Sequence, residues 1–341
     1  MKVLDRLGRY RPLACAMALL VVLAGLFFWP SGLSPFRLLS LLWTGSFDGA
    51  YALSETLVKA TPIIWCALAV AVPAQLGLIS LGAEGQMYAG AILGAGFVLA
   101  LPAEPGWLLL PGMLLCAAMS GGLWGMIAGW FKAKLNISEI IVSMLFNFIA
   151  IDLLDYLIHG PWRAPHSGNW PESSTFQDAA ILPPIIGGYR VHVGLIGALL
   201  ATSAMYFVFG WTRWGLIART LGNNPRVAAG AGISHGRWIL ILMALGGALA
   251  GIGGMAEASA IENRLETQFL PGYGLYGFMA AWLARHDFGL IVPVSVLMAA
   301  ILSLADTLQL SAQLPASSAL ILQAFVFISV LAFSATNRAP A

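Results

Sequence analysis

Apolar residues fall in long blocks along the chain, and the polar ones gather in short stretches between them. Ten blocks read as membrane helices: 12–29, 57–80, 86–101, 107–131, 138–158, 193–210, 236–260, 273–284, 289–308 and 317–335. A helix crosses the hydrocarbon core with about 20 apolar residues. The pattern therefore predicts an all-α membrane protein of about ten transmembrane helices, with residues 1–341 forming a single transmembrane domain. Two connections stand out. Residues 159–192 are rich in Pro, Gly and aromatics, and residues 211–237 are basic. In the segment 30–56, the stretch from Phe36 to Trp43 is expected to lie along the membrane interface.

The order of the blocks suggests internal symmetry. Blocks 57–158 and 236–335 each hold four segments, and counting crossings gives them opposite directions. The second segment of each is short and punctuated by glycine, Gly82–Leu101 in the first and Gly272–Arg285 in the second. Two inverted four-segment halves with short broken helices are expected, a pattern that places a pathway between the halves.

Composition narrows the function. Hydrophobic residues make up 59% and charged residues 9%, against about 25% charged in soluble domains. The mean hydropathy is +0.84. A soluble enzyme and a disordered chain are excluded, and a net charge of +2 implies no nucleic-acid partner. The lipid bilayer is the surrounding medium. With both termini inside, Lys2, Arg6, Arg9, Arg11, Lys132, Lys134, Arg213, Arg219, Arg226, Arg237, Arg285 and Arg338 are cytoplasmic, 12 of the 17 basic residues. Arg37, Lys59, Arg163, Arg190 and Arg264 are the 5 outside. The excess follows the positive-inside rule. Cys15, Cys66 and Cys116 lie inside apolar blocks and read as small hydrophobes. The five histidines show no ligand spacing, so no metal site is expected. No Lys follows a Gly, so the chain has no P-loop.

Few polar residues sit where lipid would be their neighbour. Glu84 and Gln86 stand between two apolar blocks, flanked by Gly82 and Gly85. They either line a pathway or, for Glu84, cap nearby helix N–H groups. Ser138 is a candidate N-cap, and Glu139, Ser143 and Asn147 follow at i, i+4 and i+8, one stripe of a helix. Such a stripe faces protein, as pathway lining or as interhelical hydrogen bonding. Gly247 and Gly251 form a close-packing pair. In the basic loop, Arg219, Gly222, Asn223, Asn224, Pro225, Ala228 and Gly232 outline a short helix of small residues, with Asn224 as cap and Pro225 in its first turn. It is either a docking helix or a plain connection.

Four stretches together resemble the permease subunits of bacterial ABC importers for simple sugars and nucleosides. They are Gly82-Ala-Glu-Gly-Gln86, Ser138-Glu-Ile-Ile-Val-Ser-Met-Leu-Phe-Asn147, Gly222-Asn-Asn-Pro-Arg-Val-Ala-Ala-Gly-Ala-Gly-Ile233 and Gly272-Tyr-Gly-Leu-Tyr-Gly-Phe-Met-Ala-Ala-Trp-Leu-Ala-Arg285. The resemblance runs from about Trp43 to Phe333, and the 219–233 segment matches the family's cytoplasmic coupling segment. Gln75, Ser80, Ser138, Met279, Trp282 and Ala284 depart from the family's usual residues. The resemblance implies a multi-pass permease in the bacterial cytoplasmic membrane, working with a second permease subunit, identical or homologous. An ABC ATP-binding subunit carries ATP and Mg, and an extracytoplasmic solute-binding protein delivers the solute. No cofactor and no catalytic residue is expected in this chain. The expected pathway residues are Glu84, Gln86, Glu139, Ser143, Asn147, Tyr273, Tyr276 and Trp282. The expected solute is a nucleoside, then a simple sugar. The alternative is a secondary transporter driven by an ion gradient, with Glu84 or the Glu139 stripe as its ion site.

Overall fold

A computed structural model describes residues 18–29, 34–101, 106–165, 170–224, 232–311, 313–315 and 317–335, together with Cys15, Gly168, Ala228 and Gly230. The described residues are helical: α1 (Ala18–Phe28), α2 (Pro35–Ser46), α3 (Ala50–Ala74), α4 (Ala83–Ala100), α5 (Gly106–Leu135), α6 (Glu139–His159), α7 (Val193–Trp211), α8 (Arg213–Asn223), α9 (His235–Glu257), α10 (Tyr273–Leu283), α11 (Phe288–Ser311) and α12 (Ser317–Ala335). Among them there is no strand, only isolated bridges such as Glu172 with Glu266.

Among the described residues, six helices are long and apolar enough to cross a membrane, within α3, α5, α6, α7, α9 with its extension to Glu262, and α11. Ten spans were expected. The four expected spans not among them correspond to α1, α4, α10 and α12. With 11 residues, α10 rises only about 16 Å, half a bilayer. Ala18–Phe28 is also short of a full span among the described residues. The predicted 57–80 helix begins earlier and stops at Ala74. Its end is a Schellman motif: Leu78 N–H bonds to Pro73 O (3.3 Å) and Gly77 N–H to Ala74 O (2.9 Å), with Gly77 at φ +76°. Residues 75–82 then run without helix to Gly82. The stretch from Phe36 to Trp43 lies in α2, capped by Ser34, which accepts from Arg37 N–H.

The chain divides into two compact units. One comprises residues to Ala60 and from Val296. Its core joins Leu38, Leu41, Ile301, Leu304, Leu308, Leu322 and Val326. Lys59 pairs with Asp306, and Ser46 Oγ donates to Ala300 O at 3.1 Å.

The other unit, Thr61–Ser295, is built around α9. Its glycines let neighbouring backbones touch, as the Gly247/Gly251 pair predicts. A Cβ at Gly247 would run into Gly121 O, one at Gly251 into Ala117 O, and one at Gly254 into Met87 O. At Gly246 it would lie 2.6 Å from Ala69 O. Helices α3, α4 and α5 thus meet α9 through backbone rather than through large side chains. Beyond α9 the helix widens to a π-turn over Ala258–Glu262. Ser259 Oγ there donates to Ala180 O (2.6 Å) and accepts from Leu182 N–H (3.0 Å). With the Glu172–Arg264 ion pair (2.7 Å) and Phe176 N–H to Asn263 O (2.8 Å), it fastens the 159–192 connection onto the end of α9.

Candidate functional site

The break at 75–82 poses a problem that lipid cannot solve: its backbone groups have no helical partners, and each must be satisfied by protein. The stripe on α6 does this. Glu139 Oε1 accepts from Ile79 N–H (3.4 Å), and Ser143 Oγ accepts from Leu81 N–H (3.1 Å). Asn147 Oδ1 accepts from Gly85 N–H (2.8 Å), while its Nδ2 donates to Leu81 O (2.8 Å). Three side chains spaced one turn apart hold the backbone from Ile79 through the first turn of α4. The approach is close enough that a Cβ on Gly85 would lie 2.7 Å from Asn147 Cα. Glu139 also pairs with Lys132 from the last turn of α5 (3.0 Å), which compensates the one charge in the stripe. Ser138 precedes α6 as N-cap residue without a side-chain cap bond.

Glu84 occupies the first turn of α4. Its carboxylate lies against the backbone of Gly272 and Gly274, at the start of α10, where Gly272 is the N-cap at φ +75°. A Cβ on Gly274 would sit 2.5 Å from Glu84 Cβ, so the contact depends on that glycine. One carboxylate therefore serves two helix N-termini, its own and that of α10, where the helix dipoles favour negative charge. Gln86 is 2% exposed, and its Oε1 is buried without a partner among the described residues.

Tyr273 and Tyr276 are buried near this N-terminus of α10. Trp282 is not brought there. It lies nine residues on, about 14 Å along the helix, tilted against Phe278 and edge-on to His286 (5.8 Å). Met279 is buried in the same helix at 1% exposure. Tyr88 is a residue that sequence reasoning missed. It is one turn after Glu84, fully buried, with its ring edge-on to Phe269 at 5.0 Å. The i,i+4 spacing from Glu84 was the available signal.

Residues 219–223 of the 219–233 segment lie in α8. Arg219 donates to Phe209 O (2.7 Å) and Gly215 O (3.2 Å), closing the end of α7. Gly222 rests on the turn after α3, where a Cβ would lie 2.8 Å from Gln75 O. Asn223 and Asn224 are exposed. Asn224 closes α8 with its N–H on Thr220 O (2.9 Å) and accepts from Ala228 N–H (3.4 Å). Ala228 is buried and Gly230 exposed, and Gly232 has φ +77°. Pro225 and Arg226 lie outside the described residues, as do Lys2, Arg6, Arg9, Arg11 and Arg338. Among the described residues no group of His, Cys, Asp or Glu could hold a metal ion.

A bundle of apolar helices, one broken and one half-length, with polar side chains spent on the break, is the architecture of a membrane permease. Residues 52–331 match the branched-chain amino acid transport system / permease component family, and the chain belongs to it. It is 34% identical to the glucose ABC transporter permease protein TsgB13 of Haloferax volcanii, over 85% of this chain and 79% of that protein. It is 33% identical to the guanosine ABC transporter permease protein NupP of Bacillus subtilis, over 72% and 71%. It is 28% identical to the nucleoside ABC transporter permease protein NupB of Lactococcus lactis, over 76% and 72%. The chain is an ABC importer permease, and the reading as an ion-driven secondary transporter is not favoured.

Proposed function

We propose that the chain imports a neutral solute built on a sugar ring, a nucleoside first and a simple sugar second. The observation that carries this is Glu84. Helix N-termini inside transporters are sites for anionic substrate groups. Here the N-terminus of α10 is already answered by the protein's own carboxylate. A solute carboxylate, as in an amino acid, would meet Glu84 rather than free N–H groups. The buried amide of Gln86 and the ring faces of Tyr273 and Tyr276 suit a neutral, hydroxylated and partly aromatic solute. The names of the relatives fit both choices, glucose for one and guanosine or nucleoside for two others.

In this reading the chain has ten spans in two inverted halves, 57–158 and 236–335, and lies in the cytoplasmic membrane with both termini inside. The second helix is the shortest of its four in both α3–α6 and α9–α12, 18 residues in α4 and 11 in α10, which supports the symmetry. A second permease subunit completes the pore. A partner ATPase binds ATP and Mg beneath the 211–237 segment, and a solute-binding protein docks above, on the side of 159–192. The permease itself performs no covalent chemistry; it is a bistable bundle that both partners bias.

The test is uptake of labelled guanosine, uridine, ribose, glucose and leucine by cells with the complete transporter and by cells lacking this chain. Loss of nucleoside uptake with leucine uptake intact is expected. Loss of leucine uptake alone would overturn the reading.

A further inference from the structure

Three separate elements meet at the turn after α3, and none of the site residues above explains why. Gln75 Nε2 donates to His286 O at 3.2 Å, and to Ala71 O of its own helix at 3.2 Å. The carbonyl of the same residue is the surface on which Gly222 of α8 rests. His286 belongs to the turn between α10 and α11, and that turn is strained. Arg285 and His286 are consecutive non-glycine residues at φ 54° and 58°, a left-handed pair that persists only when its surroundings hold it. Within the turn, Ala284 N–H bonds to Ala280 O and His286 N–H to Ala281 O, both at 2.8 Å. His286 Nδ1 and Trp282 Nε1 are buried without partners among the described residues. The turn therefore has polar groups ready for another arrangement.

Gln75 also opens the 75–82 break. Four residues on, the backbone passes to the α6 stripe, beginning with Ile79 N–H on Glu139, and it ends beside Glu84. The end of α8, the strained turn and the first residue of the break are thus joined by one side chain and one carbonyl.

We propose that Gln75 is a positioning residue for coupling, the joint through which displacement of α8 is transmitted both to the Arg285–His286 turn and to the break that carries Glu84. A side chain that holds two backbone segments together, while its own backbone bears on a third, makes their movements one event. Packed interfaces of this kind switch between discrete arrangements rather than deforming smoothly. The proposal rests on the reading that the segment following α8 meets the ATPase.

The experiment uses the complete transporter in proteoliposomes and reads ATP hydrolysed per solute imported. Gln75→Met keeps the length and loses the donor; Gln75→Arg keeps a donor. Gln75→Met should raise the ratio at least about fivefold, the low end of allosteric coupling, with the complex still assembled and the melting temperature close to wild type. Gln75→Arg should restore the ratio. Gly222→Val should raise it too, and the double variant Gln75→Met/Gly222→Val should go no further than either alone, because both break one joint. An unchanged ratio in Gln75→Met, or effects of the two variants that simply multiply, overturns the proposal. Gly230→Trp, on the exposed face, tests the docking reading separately. If it leaves coupling intact while Gln75→Met destroys it, the ATPase meets the segment elsewhere than at Gly230 and the joint stands.

Discussion

At the scale of single residues, the chain puts its rare polar groups where backbone needs them. His192 shows the cost of such placement. It is the N-cap of α7, accepting from Gly194 N–H at its Nδ1 (3.2 Å), and it is 1% exposed. Burial, with the Arg190 cation adding to it, pushes His192 down to about 4 from its ordinary 6.5. The folded protein therefore keeps the imidazole neutral, while the unfolded chain takes up a proton below about pH 6.5. Stability is complete above that pH and is lost as the pH falls toward 4, by about 2 kcal/mol at pH 5. Melting in detergent should show a drop of a few degrees between pH 7.5 and 5. His192→Gln should lose part of that drop while keeping a capping acceptor. An identical pH dependence in the two proteins would contradict the assignment.

At the scale of elements, the break between α3 and α4 exists because α6 supports it. Asn147 holds two backbone groups and Ser143 holds one. A buried backbone group left without a partner costs about 1–3 kcal/mol. Asn147→Ala should therefore destabilise by roughly 2–4 kcal/mol and Ser143→Ala by roughly half of that. Met144, on the outer face at 49% exposure, provides the control, and Met144→Ala should melt close to wild type. Thermal unfolding of the purified chain checks the order, and Asn147→Ala melting with Met144→Ala would sink the supporting role.

Much of this element was legible in advance. The i,i+4,i+8 spacing from Glu139 placed the stripe on one inward face, and residues 317–335 became α12 with the expected bounds. The end of α3 was legible in principle, since Gly77 follows Pro73 with a C-cap's spacing, but hydropathy alone carried the block to 80. What the stripe would bind was not legible, because apolar stretches such as Leu76–Leu81 look the same to a hydropathy pattern whether helical or extended. Nor could spacing show that Glu84 meets Gly272 and Gly274, nearly 190 residues away. That pairing depends on the start of α10 being packed against α4, where Gly274 meets Glu84. Ala228, in the segment expected to form either a docking helix or a plain connection, is buried, so the docking test is placed at the exposed Gly230.

At the scale of the whole molecule, the account is of a permease whose two polar devices have different tasks. The α6 stripe keeps an unwound segment soluble in protein. In the proposed reading, Glu84 answers the start of α10 and a neutral solute meets no unpaired helix terminus. The chain belongs to a family of ABC transport permeases, which work with an ATP-binding partner. The most direct measurement is uptake of labelled guanosine into proteoliposomes containing this chain, its partner permease, the ATPase and the binding protein, with nucleotide supplied to the ATPase side. Uptake should require hydrolysable ATP and the binding protein, stop with a non-hydrolysable analogue, and persist when a protonophore collapses the ion gradient. Uptake that proceeds without ATP and disappears with the protonophore would contradict the account.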